Sequence, residues 1–245
     1  MSVGYPSIQT CSGPAGRLAP AGPFQPAANA STSAVRRASF AALARFSLLD
    51  SRQFRDAEPA DAAEQQREDR TILGTAQEEW VGERLASSEA TWNLLANGVV
   101  LVPINEKSTD MWDGYPAARR RLLAQMAEAQ NPVMLTGDIH KHVAAEIPAD
   151  PDDPGEERLG VELVCTSVAS DGDGAEDAGS PETWTRHDHV KLYDGRRGYV
   201  HVRLTPEEMV SSFHVVDWIE ADDTAPKQLT ARFTTPAGEP RLIPA

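Results

Sequence analysis

Asp138 and His140, in the run Val133-Met-Leu-Thr-Gly-Asp-Ile-His140, carry the strongest chemical signal in this sequence. A carboxylate oxygen and an imidazole nitrogen together suit iron, zinc or manganese. The residues before them, Val133 to Thr136, are an apolar run short enough for a buried strand. In open α/β sheets, sites gather beyond the carboxyl ends of such strands. Gly137 lets the backbone turn closely at that point. If the chain stays extended, Asp138 and His140 point to the same side. Two ligands so placed can serve two adjacent metal ions, roughly 3.5–4 Å apart in two-metal hydrolases. The plainer reading makes Asp138 a turn cap and His140 a satisfied core histidine, and the short motif alone does not choose between them.

Two further groups of residues can bind anions. Trp112-Asp113-Gly114-Tyr115-Pro116 opens a helix, and a helix amino end presents unpaired N–H groups to phosphate, with Asp113 and Tyr115 placed to line a pocket. On chemistry alone a simpler role is favoured, with Asp113 as helix cap and Trp112 as hydrophobic anchor. In Leu49-Asp-Ser-Arg52-Gln-Phe-Arg55, Arg52 ends an apolar run and can hold phosphate in bidentate fashion. Surface pairing with Asp50 or Asp56 is the commoner fate of such an arginine.

The elements that must position these residues follow from periodicity. Phe46 to Leu49 reads as a buried strand, and Trp80, Val81, Leu85, Trp92 and Leu95 recur at helical intervals over Gln77 to Ala96. Asn97-Gly98 stops that helix, and Val99 to Val102 reads as another buried strand. Pro116 begins a second helix and Val133 to Thr136 a further strand. This alternation predicts an α/β fold with partly parallel sheet neighbours. Beyond residue 140 the pattern becomes strand-rich at 143–147, 161–167, 198–204, 213–219 and 229–233, and Asp171 to Gly179 is an acidic, glycine-rich loop. Residues 1–38 are rich in Gly, Pro, Ala and Ser without sustained period, and read as a disordered or non-homologous segment. Arg36-Arg37-Ala-Ser-Phe40 has the look of a twin-arginine export signal, but Arg45 interrupts the apolar run, so a strand with flanking charges is preferred.

The 245 residues suffice for one core of ordinary size, and a composition 40% hydrophobic and 24% charged is globular. A formal net charge of -14 argues against nucleic acid as partner, because phosphate backbones attract basic surfaces. It does not exclude a phosphorylated small molecule, since bound metal ions invert the local field. Cys11 and Cys165 lie far apart without metal-type spacing, and no apolar stretch approaches membrane-spanning length.

The segments Leu48-Leu-Asp-Ser-Arg-Gln-Phe-Arg-Asp56, Ile72-Leu-Gly-Thr-Ala-Gln-Glu-Glu-Trp80, Ala90-Thr-Trp-Asn-Leu-Leu-Ala-Asn97, Trp112-Asp-Gly-Tyr-Pro116, Leu135-Thr-Gly-Asp-Ile-His140 and Tyr193-Asp-Gly-Arg-Arg-Gly-Tyr199 stand in one series. Together they resemble the carboxyl-terminal half of a PhoD-like alkaline phosphatase, within the calcineurin-like metallophosphoesterase superfamily. The resemblance covers about residues 39–245. It implies part of a layered sheet sandwich flanked by helices, and metal-dependent hydrolysis of phosphomonoesters or phosphodiesters. It also implies iron with calcium as cofactors, Asp138 on the iron and His140 on a neighbouring ion, and Trp112 to Pro116 in the pocket wall. Export to the cell envelope or beyond is expected of the family. His142 occupies no ligand position and is expected to be a supporting or solvated residue. The family's remaining ligands belong to its amino-terminal half, whose motifs find no match before Phe40. The first expectation is therefore a truncated chain, incomplete and inactive by itself, and the second an active enzyme whose site a complementing polypeptide finishes. The alternative is a catalytically inactive half-domain acting as an interaction module.

Overall fold

The computed structural model describes residues 36–40, 42–104, 109–152, 155 and 157–245. The expectation for residues 1–38 lies outside them except at its last three positions.

Among the described residues, eleven strands and four short or medium helices make three layers. In chain order the first sheet takes β1 (Arg36–Phe40), β2 (Ala44–Leu48), β3 (Trp92–Ala96), β4 (Pro132–Thr136), β5 (His142–Pro148), β6 (Arg158–Val164) and β7 (Val190–Asp194). Their spatial order is β1-β2-β3-β4-β6-β5-β7; the β2–β3, β3–β4 and β4–β6 pairings are parallel and the β1–β2, β5–β6 and β5–β7 pairings antiparallel. A second, antiparallel sheet contains β8 (Arg197–Leu204), β9 (Glu208–Val216), β10 (Lys227–Pro236) and β11 (Ile243–Pro244). The helices are α1 (Ala62–Gln65), α2 (Thr75–Ala86), α3 (Pro116–Ala127) and α4 (Pro181–Thr185). This is the mixed α/β, layered arrangement expected from the sequence.

Side chains alternate across the first sheet, so its two faces build two cores. Trp92, Leu94, Val133, Ala144, Val161 and Leu163 pack with Met209, Phe213 and Phe233 of the second sheet. Leu95, Met134, Val143, Ala145 and Val164 pack on the other side with Val81 and Leu85 of α2 and Leu122 and Met126 of α3. Both faces of the central parallel strands are covered, which explains why they read as continuous apolar runs.

Two elements differ from expectation. The helix anticipated over Gln77 to Ala96 is a helix only to Ala86, and Trp92–Ala96 is strand β3. Trp92 and Leu95 are three apart, which suits a helix stripe, yet in a fully buried strand they face opposite layers. Short apolar runs cannot be assigned by period alone. The stretch Val99 to Val102 is buried as expected but pairs with no strand.

Side chains serve its backbone instead. The amides of Leu101 and Val102 donate to Oε1 and Oε2 of Glu162, both at 2.8 Å, and that of Ile104 donates to Oδ2 of Asp113 at 3.2 Å. The carbonyls of Leu101, Pro103 and Ile104 accept from Arg119, His189 and His187. Each buried N–H and C=O must find a partner, and here titratable side chains distant in sequence provide most of them, with Asn97 accepting from the Val99 amide and the Trp112 amide donating to the Val100 carbonyl.

Candidate functional site

The parallel strands β2, β4 and β6 all end at one edge of the first sheet, and the segments leaving them carry the polar residues of interest. After β4 the chain turns sharply. Asp138 and His140 both have left-handed backbone, with φ of 71° and 54°, while the amide of Ile139 bonds to the Gly137 carbonyl and its side chain packs on the core. The turn replaces the extended conformation assumed in the sequence reading. Apolar Ile139 is drawn inward while the polar residues on either side stay partly exposed.

Arg52, leaving β2, meets Asp138. Its Nη2 lies 3.0 Å from Asp138 Oδ1, and its two terminal nitrogens also grip Asp110 at 2.5 and 3.0 Å. Arg55 donates to the same Asp110, at Oδ1 (2.9 Å) and at the main-chain oxygen (3.0 Å). The bond from Arg52 holds the Asp110 carboxyl below the usual carboxylate range, and the same bond raises the already high pKa of Arg52. Arg52 is 43% exposed at its side chain, so this network faces solvent. The pairing expected with Asp50 is limited to the Asp50 carboxylate accepting from the backbone amides of Arg52 and Gln53. Asp110 and Arg55 had no local signature that singled them out.

His140 is paired with Asp171, in the loop that follows β6. Its Nδ1 is 2.7 Å from Asp171 Oδ2. A carboxylate only accepts, so Nδ1 carries the proton in this contact. The His140 bond lowers the Asp171 carboxyl pKa. Sequence reasoning saw the Asp171 loop as acidic and glycine-rich without connecting it to the histidine, 31 positions earlier.

The remaining sequence candidates sit elsewhere. Trp112 and Tyr115 are 1% and 0% exposed, belong to the core, and offer a ligand almost no surface. Trp112 donates to Asn97 Oδ1, and the Tyr115 hydroxyl donates to the Asp56 carbonyl at 2.7 Å beneath the Arg70 guanidinium. Asp113 is buried in an ion pair with Arg119 and does not cap α3, whose first turn has no side-chain cap. A cavity of 790 Å³ beside it includes Arg119, His187 and His189 in its lining, but not Arg52, Asp138 or His140. His142 is fully buried rather than solvated. Its Nε2 meets the His214 carbonyl at 3.1 Å, its ring stands edge-on to Phe213, and burial depresses its pKa.

For a metal centre the donor types fit but the donor number does not. Among the described residues no group of three or more His, Cys, Asp or Glu side chains gathers in the way a metal ion needs. Asp138 and His140 stand as two donors on one turn, each held by a partner.

The helix, sheet, sheet layering with a polar edge beyond parallel strands is a metallophosphatase-type fold. A purple acid phosphatase from yellow lupin (Lupinus luteus) seeds shares it with a TM-score of 0.52 over 86% of this chain and 34% of that one, a likeness of fold alone at 14% identity. The chain itself belongs to the PhoD-like phosphatase family, whose model matches residues 19–213. It is 33% identical over 202 residues to alkaline phosphatase D of Bacillus subtilis (strain 168), covering 75% of this chain and 34% of that protein. It superposes on the solved structure of PhoD with a TM-score of 0.79 at 30% identity, over 86% of this chain and 43% of that one. The chain thus spans about a third of the length of the curated relative it matches. Among the described residues no helix is long and apolar enough to cross a membrane.

Proposed function

We propose that this chain supplies one flank of a metal-dependent phosphoesterase site acting on phosphomonoesters or phosphodiesters. In this reading Asp138 contributes a carboxylate oxygen and His140 its Nε2 to a centre of iron with calcium. The other donors come from outside the described residues, in a complementing polypeptide or in further chain. When bound, the metal ions neutralise phosphoryl charge and activate water for attack. Asp171 keeps the His140 ring in the tautomer that leaves Nε2 free, a pairing common behind metal-ligating histidines. Arg52 carries a planar fork of donors that a phosphate oxygen pair takes in place of the Asp110 carboxylate. Trp112, Asp113 and Tyr115 are buried and have no binding role in this reading.

The observation that carries this reading is the meeting of Arg52 and Asp138 at 3.0 Å, which puts an anion-binding guanidinium beside the proposed ligand carboxylate. The chain, reconstituted with the polypeptide that completes the site, is loaded with iron and calcium, freed of unbound ions and assayed with bis(p-nitrophenyl) phosphate. Retained metal and nitrophenolate release, both lost in Asp138→Asn, are the expected result. Metal neither retained nor needed for turnover would overturn it. An unreactive, metal-free chain that captures a stoichiometric protein partner would instead mark an interaction module.

A further inference from the structure

We propose that Arg197 is the positioning residue that sets His140 against Asp171, an inference that rests on the role given to His140 above. Arg197 opens β8, where the ladder with Val216 of β9 fixes its backbone. Its side chain is 1% exposed, and its guanidinium donates to four main-chain carbonyls. Nε reaches Gly172 at 2.8 Å, Nη1 reaches His140 at 2.8 Å and Gly195 at 3.0 Å, and Nη2 reaches Asp171 at 2.8 Å. One rigid, planar group therefore bonds to the backbone of both members of the His140–Asp171 pair.

Those two residues need such a restraint. His140 and Asp171 have φ of 54° and 62°, left-handed conformations that residues other than glycine adopt reluctantly and that persist where the surroundings over-determine them. Their own contact is too exposed to impose this. The side chains are 32% and 67% accessible, and an ion pair in that setting contributes little order. The buried arginine holds both carbonyls at once, so the side-chain bond between Nδ1 and Oδ2 follows from the backbone arrangement. Gly174 leaves the space this requires, since a Cβ there would stand 3.1 Å from the Arg197 guanidinium carbon. Lysine, a point donor without the fork, cannot span the same carbonyls.

The nitrogen-15 spectrum of the imidazole rings reads the inference directly. The full chain is measured at mildly alkaline pH, with His140→Gln identifying the His140 signals. Wild type is expected to show His140 protonated at Nδ1. Asp171→Gly, which keeps the left-handed backbone easy while deleting the carboxylate, should lose that tautomer. Arg197→Lys and Arg197→Met should lose it equally, with near-ultraviolet circular dichroism unchanged. Wild-type tautomer in either folded Arg197 variant would overturn the proposal. So would collapse of the fold in both, because the role would then be global. Hydrolysis and metal retention are read separately. A chain without either, but with the Nδ1 tautomer dependent on Arg197, would sink the phosphoesterase reading and leave the positioning role standing.

Discussion

Nη2 of Arg52 and Oδ1 of Asp138 lie 3.0 Å apart although 86 positions separate them in the chain. The contact arises because β2 and β4 flank β3 in a parallel array, so the segments leaving them emerge at the same edge. Asp110 enters from a third segment and bonds to both Arg52 and Arg55. Two guanidinium groups and two carboxylates thus form one network, in which Arg52 bonds to both carboxylates and Asp110 to both guanidinium groups.

Asp138→Asn should leave the fold nearly intact, with stability within ~1 kcal/mol of wild type, since the lost ion pair is exposed and asparagine tolerates left-handed backbone. Asp138→Ala should cost a further ~1–2 kcal/mol from backbone strain at φ 71°. Urea melts distinguish the two. Turnover in a reconstituted enzyme should vanish in both, and wild-type turnover in the asparagine variant would remove Asp138 from the mechanism.

Arg52→Gln should weaken inorganic phosphate binding several-fold while changing stability by less than ~1 kcal/mol. Calorimetric titration at rising ionic strength provides the check. The difference should shrink with salt, because exposed charges are screened over about 10 Å at 0.1 M. Equal phosphate affinity in both proteins at low salt would remove Arg52 from anion binding.

Glu162 is fully buried, and desolvation lifts its carboxyl pKa from the ordinary 4.5 to about 7 against the opposing bonds from Leu101, Val102 and Thr136. Between these two values the folded chain holds a proton that the unfolded chain has released, so this group makes stability fall as pH rises through that window. The contribution is ~3 kcal/mol for the whole shift. Glu162→Gln should remove this slope in denaturant melts across the pH range. It should also cost about 1–3 kcal/mol at low pH, because one amide oxygen cannot serve three donors.

His189 slopes the other way. Burial, and then the neighbouring His187, lower its pKa from 6.5 to about 4, so the unfolded chain binds a proton there that the folded chain refuses. Stability from this group is complete above pH 6.5 and is lost as pH falls towards 4, by ~3 kcal/mol. In wild type the two slopes oppose each other between 4.5 and 6.5. His189→Gln should expose the falling Glu162 slope, and Glu162→Gln the rising histidine slope. Identical pH profiles in all three proteins would contradict both assignments.

The central strands were legible because burial on both faces writes continuous apolar runs, as at Val133–Thr136. The helix from Pro116 was legible because proline at its start and one apolar face are local marks. The division of residues 77–96 into α2 and β3 was not, since Trp92 and Leu95 satisfy either period until the second sheet covers Trp92. Val99 to Val102 reads as a strand for a similar reason. Its side chains record burial, while its backbone partners, Glu162 above all, lie far along the chain.

By itself the sequence determined the layer class, the buried strand that leads into Asp138 and His140, and the order of segments that marks the family. Each is a local pattern, set by which side chains avoid water and where the backbone can turn. Only the tertiary structure decided that Arg52 meets Asp138, that Asp171 meets His140, and that Trp112 and Tyr115 are sealed in the core. Those pairings join residues tens of positions apart. They depend on strand order and on the requirement that every buried polar group find a partner, which no short stretch of sequence records.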